Sequence, residues 1–148
     1  LEDTRLRDVP KALSEQYEQQ MPERFAKRAR HFYTECDRVT AGVEAWKQGD
    51  IHTFGRSIFE SCESSIHNYE CGSPELIALY EIMRETEGIY GGRFSGAGFK
   101  GACISLIDPE KKEEITQAVS SAYLKRFPQH KELFEAFYCK VCDGVKFI

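Results

Sequence analysis

The sequence predicts an α+β domain in which helices pack on one face of a small, mostly antiparallel sheet. Three observations carry that expectation. An unbroken apolar stripe with helical spacing runs from Phe25 to Trp46, two further helix patterns follow it, and near Ile89 the pattern changes to short strand-like runs divided by a glycine-dense loop.

Residues 1–22 carry mixed charge and end at Met21-Pro22, a helix stop, so they read as a linking segment from a preceding N-terminal domain. The domain proper is expected over 23–148. Its first helix places Phe25, Ala29, Phe32, Cys36, Val39, Val43 and Trp46 on one stripe, which is expected to face the core. Gly49 suits the left-handed residue that closes such a helix. Asp50 can cap a second helix with Ile51, Phe54, Ile58 and Cys62 inward. Ser73-Pro74 opens a third, with Leu76, Leu79, Tyr80 and Met83 as its apolar face and Gly88 at its close. Ile89 to Phe94 and Ala102 to Ile107 read as strands. Asp108-Pro109 starts a fourth helix through Ile115, Val119, Ala122 and Tyr123. Phe134 to Val141, aromatic and β-branched, reads as a last strand ending at Asp143-Gly144.

Composition narrows the function. A length of 148 residues supports one core, and 41% hydrophobic with 30% charged residues describes a globular domain. A net charge of −4 argues against a nucleic-acid partner, which needs a basic surface. No apolar run approaches the roughly 18 residues that a membrane-spanning helix needs. The start, Leu1-Glu2-Asp3-Thr4-Arg5, resembles neither a signal peptide nor an initiator segment, which predicts a truncation upstream. Several of the six cysteines sit among apolar neighbours, as buried thiols do. Cys139-Lys140-Val141-Cys142 has redox or zinc spacing without a second such pair, and the four histidines are scattered, so no metal site is expected. Reduced thiols in a cytoplasmic protein are the expectation.

The informative segment is Gly91-Gly92-Arg93-Phe94-Ser95-Gly96-Ala97-Gly98-Phe99-Lys100-Gly101, glycine at five of eleven positions. Such density suits a chain that needs positive φ or close approach by another group. Successive amides in turns of this kind form a concave donor surface for phosphate oxygens, and Arg93 and Lys100 bracket it with charge. A glycine-rich hairpin without a ligand is the alternative. Gly96-x-Gly98-x-x-Gly101 matches the dinucleotide fingerprint, but that fingerprint opens a helix and this loop leads into a strand. A protein-kinase loop also joins strands, yet its later lysine and catalytic-loop motifs are absent.

Gly91 to Phe99 resembles the third conserved motif of the GHMP kinases, which act on galactose, homoserine, mevalonate and phosphomevalonate. Arg28-Ala29-Arg30-His31-Phe32-Tyr33-Thr34-Glu35 is similar to a helix of the galactokinase branch, as are Leu6-Arg7-Asp8-Val9 and Asn68-Tyr69-Glu70 followed by Ser73-Pro74-Glu75-Leu76. Ser64-Ser65-Ile66, Asn68 to Gly72 and Lys100 resemble the galacturonokinases in particular; galactokinases would have glycine at Lys100, histidine at Cys62 and acidic residues at His67 and Asn68.

The resemblance implies a GHMP kinase C-terminal domain of ferredoxin-like type. It implies transfer of the ATP γ-phosphoryl group, with Mg2+, to the anomeric hydroxyl of galactose or galacturonic acid. Ser95, Gly96, Ala97 and Gly98 would lie beside the triphosphate, with Arg93 nearby and Lys100 as a candidate neighbour of an anionic substrate group. The catalytic base, the main phosphate loop and the magnesium ligands would belong to the chain's own N-terminal kinase domain, so this piece alone is expected to be inactive. Tyr69 and Glu70 match family positions and are expected to pack at a helix boundary. Two further readings stay open: a non-catalytic ligand-binding or interaction domain of the same fold, and a kinase for another sugar such as arabinose.

Overall fold

The computed structural model describes residues 4–140 and 143–144. Among them the chain forms five α-helices, α1 (Lys11–Tyr17), α2 (Glu23–Lys47), α3 (Ile51–His67), α4 (Pro74–Glu85) and α5 (Lys112–Arg126). Strands β1 (Ile89–Phe94) and β2 (Cys103–Ile107) pair antiparallel. No helix is long and apolar enough to cross a membrane among the described residues.

Local chemistry sets most helix ends. Asp50 accepts from the Thr53 amide at the start of α3, and Ser73 accepts from the Leu76 amide with Pro74 at the first position of α4. Gly49 takes φ 71° after α2, and the amides of Gly49 and Asp50 return to the carbonyls of Trp46 and Ala45. That pairing satisfies the last carbonyls of a helix. Asp108 caps the short turn Pro109–Lys111 that leads into α5.

α3 and α4 both pack on β1, α2 packs on α3, and α5 packs on α4. Cys62, Leu76, Tyr80 and Phe94 form one buried cluster, completed by a hydrogen bond of 3.1 Å from the Tyr80 hydroxyl to the Phe59 carbonyl. Ile82, Ile115, Val119 and Tyr123 form a second. The helices on one side of a small antiparallel sheet are those predicted.

Two expectations need correction. Most of the α2 stripe does not face the core: Phe25, Val39, Val43 and Trp46 are 52%, 64%, 47% and 55% exposed, while Ala29 is buried and Phe32 half-buried. Its buried residues are Ala26, Ala29, Tyr33, Gly42 and Ala45. Periodicity finds a helix face but not its neighbour. Here the neighbour, α3, presents Ser61 and Ser64 to Glu35 and His31, so α2 turns toward it a side of small residues mixed with polar ones. Likewise α3 buries Gly55, Ser61 and Cys62, while Ile51, Phe54 and Ile58 are only half-buried. The second correction is the predicted last strand. Residues 134–140 form no strand, and Val141 lies outside the described residues. The Tyr138 hydroxyl bonds the Lys112 carbonyl at 2.5 Å and also meets Thr116, which holds this segment along α5 instead of along β2.

The stretch expected to be a linker contains α1 and lies against α2. The Tyr33 hydroxyl donates to the carbonyls of Leu6 and Val9, and Lys11 pairs with Asp37 at 2.5 Å.

Candidate functional site

The glycine loop is the turn of the β1–β2 hairpin. Phe94 stands opposite Cys103 in the ladder, and the Ser95 amide donates to the Ala102 carbonyl at 2.9 Å, closing the loop. Gly96 and Gly98 hold φ 91° and 78°, a region that L side chains rarely enter. The loop leads into a strand, so the dinucleotide arrangement is excluded.

Its two ends differ. Gly98 forms a fixed heel: it is buried, its carbonyl accepts from the Ser73 amide at 2.6 Å, and a Cβ there would lie 2.4 Å from Phe94 Cδ2. Ser95, Gly96 and Ala97 form an exposed tip, and a Cβ on Gly96 would meet nothing within 4 Å. Among the described residues no backbone acceptor engages the amides of Gly96, Ala97, Gly98, Phe99 or Lys100. Unpaired amides in such a bend suit an anion.

The flanking cations go to different places. Lys100 is exposed and lines a cleft of about 540 Å³ between the return arm of the loop, the first turn of α4, and Tyr123 and His130. Arg93 reaches α3, where its Nη1 donates to Ser61 Oγ at 3.0 Å. Ser61 Oγ in turn donates to Glu35 Oε2 at 2.8 Å, and Arg38 Nε donates to Glu35 Oε1 at 2.6 Å. Burial pulls the Glu35 carboxyl up, but the hydrogen bonds from Ser61 and Arg38 outweigh it and hold the group below its ordinary value.

Farther along the same helix interface, His31 Nδ1 lies 2.9 Å from Ser64 Oγ and its ring packs on Tyr69 with centroids 5.0 Å apart. Burial holds the His31 imidazole below its ordinary value. Arg28 donates to Glu70 at 2.7 Å and to the Asn68 carbonyl, and Glu70 takes φ 59°. Tyr69 and Glu70 therefore tie the end of α3 to α2. Among the described residues no group of three or more His, Cys, Asp or Glu could hold a metal ion.

Sequence reasoning placed the loop but missed two of its supports. The Ser73–Gly98 clamp is a backbone bond and leaves no mark in residue type. The Glu35–Ser61–Arg93 chain had one visible signal, the small polar run Ser61-x-x-Ser64-Ser65 where the apolar stripe of Ile51, Phe54, Ile58 and Cys62 ends.

Residues 43–125 match the family model described as GHMP kinases C terminal. The chain belongs to that family. It is 44% identical over 122 residues to a galacturonokinase from Arabidopsis thaliana, covering 82% of this chain and 29% of that protein. It is 32% identical over 140 residues to a galactokinase from Roseiflexus sp. (strain RS-1), covering 95% of this chain and 35% of that one. The fold matches the crystal structure of Lactococcus lactis galactokinase complexed with galactose with a TM-score of 0.77 and 27% identity, over 86% of this chain and 33% of the other. This GHMP kinase C-terminal domain thus spans about a third of the sugar kinases it matches.

Proposed function

We propose that this domain is the C-terminal part of an ATP-dependent sugar 1-kinase, transferring the γ-phosphoryl group to the anomeric hydroxyl of galactose or galacturonic acid. The observation that carries this reading is the exposed tip, Ser95 to Ala97, rooted between two strands, where among the described residues no backbone acceptor engages the amides of Gly96 and Ala97. Phosphoryl transfer depends mainly on positioning and charge stabilisation, and oriented amides supply both at no reorganisation cost. ATP and Mg2+ are the cofactors. The base and the metal ligands would come from the chain's own N-terminal kinase domain, which would make this C-terminal piece inactive alone. Among the sugars, galacturonic acid is favoured by the 44% identity to a galacturonokinase and by the cation Lys100 near the loop. Free thiols fit a cytoplasmic enzyme.

The test uses the full-length polypeptide that contains this chain and the 148-residue piece side by side. The full-length protein should consume ATP in the presence of galacturonate or galactose, and the piece should not. Inactivity of the intact protein on both sugars, or turnover by the piece alone, would overturn the proposal.

A further inference from the structure

We propose that Glu35 is a positioning residue for the glycine loop: through Ser61 it fixes Arg93, and through Arg93 it fixes the end of β1 from which the loop departs. The inference rests on the sugar-kinase reading for what the loop does. The bridge itself rests on distances.

Ser61 is 6% exposed and its hydroxyl has one hydrogen. That hydrogen is committed to Glu35, which leaves a lone pair aimed at the Arg93 guanidinium. Without the carboxylate, the hydroxyl is free to rotate and donate to the carbonyl one turn back, as helix serines do. A hydroxyl polarised by a carboxylate is also a stronger acceptor, so the two bonds reinforce each other.

Charge adds to the geometry. Arg38 donates directly to the carboxylate of Glu35 with His31 close by, and Arg93 reaches that carboxylate through Ser61. Both guanidinium groups act on His31, so neutralising Glu35 removes the carboxylate from a half-buried cluster of cations and weakens the hold on Arg93. Arg93 is paired with Ile104 in the ladder, and two residues on, Ser95 closes the loop. Phe94 anchors the strand in the apolar cluster while Arg93 anchors it in the polar one. With only the first anchor left, the end of the hairpin can twist and carry the tip with it.

The experiment compares Ser61→Ala, Glu35→Gln and Ser65→Ala in the full-length protein. Ser65 is a matched control, because it is 9% exposed on the same helix and, among the described residues, its hydroxyl donates only to the Ser61 carbonyl. One readout is hydrogen exchange at the Ser95 amide; the other is KM for ATP set against kcat. Ser61→Ala and Glu35→Gln should speed Ser95 exchange and raise KM for ATP by about tenfold, the size expected for a lost charge-assisted hydrogen bond. The kcat should change by less than about twofold, the pattern of lost binding rather than lost chemistry. Ser65→Ala should move neither.

Unchanged exchange and KM in Ser61→Ala would overturn the proposal, and so would an equal effect from Ser65→Ala. If Glu35→Gln does not fold, Ser61→Ala, which removes one oxygen, decides alone. A full-length protein without sugar-dependent ATP consumption sinks the kinase reading, while the exchange measurement still decides the bridge.

Discussion

Gly55 of α3 and Gly91 of β1 meet backbone to backbone: a Cβ on Gly91 would sit 2.3 Å from the Gly55 carbonyl oxygen, and one on Gly55 would sit 2.1 Å from the Tyr90 carbonyl oxygen. Neither obstacle is a side chain that can turn aside. Gly55→Ala or Gly91→Ala should therefore lower stability by roughly 3 kcal/mol or more in urea unfolding, since helix and strand must separate. The double variant should lose less than the sum, because one separation relieves both. Gly96→Ala at the tip should lose only about 1–2 kcal/mol, the conformational cost of a left-handed alanine. Equal losses at Gly91 and Gly96 would contradict the close contact.

Thiol reactivity should separate the cysteines by depth. Cys36 is exposed, whereas Cys62 is 1% exposed and burial pushes the Cys103 thiol up to about 12. At mildly alkaline pH a disulfide reagent should modify Cys36 rapidly and leave Cys62 and Cys103 untouched in the folded protein. Peptide mapping after brief labelling reads the order directly. In urea all six cysteines should react.

Acid should weaken the domain in two windows. Burial keeps His31 below its ordinary value of 6.5, with Glu35 opposing and Arg38 and Arg93 assisting. The unfolded chain then binds that proton more readily, so stability from neutral His31 is complete above about pH 6.5 and lost as pH falls through the folded value. Glu35, held below 4.5, loses its contribution farther down by the same logic. Urea midpoints should decline from about pH 7 to about pH 5, and His31→Gln should flatten that decline. An equally steep decline in the variant would show that His31 is not its source.

Lys100 carries the charge argument for the substrate. In the full-length protein, Lys100→Gly should shift the ratio of kcat/KM for galacturonate over galactose toward galactose by about tenfold, the worth of one charged contact. An unchanged ratio would remove Lys100 from the substrate site.

How far residues announced this architecture depends on the reach of each interaction. Asp50, Ser73 and Asp108 were legible as caps because a cap bonds an amide within a turn of its own side chain. The loop was legible because its turn needs glycine at Gly96 and Gly98. The α2 face was misread because Phe25, Val39 and Val43 identify a stripe without saying what lies opposite. Phe134 to Val141 has strand propensity, but the bond from Tyr138 to Lys112 overrides it. Glu35, Ser61 and Arg93 stand on three elements far apart in sequence, so no local pattern joins them.

The two seams of the domain obey different solvents. Cys62, Leu76, Tyr80 and Phe94 are joined by apolar contact, which excluded solutes such as sulfate reinforce. The α2–α3 seam joins small and aromatic residues to hydroxyls and ions, and its half-exposed Arg28–Glu70 and Lys27–Glu70 pairs are screened by mobile ions. Concentrated salt therefore tightens the root of the hairpin at Phe94 while slackening the one at Arg93, and the glycine bend is suspended from both.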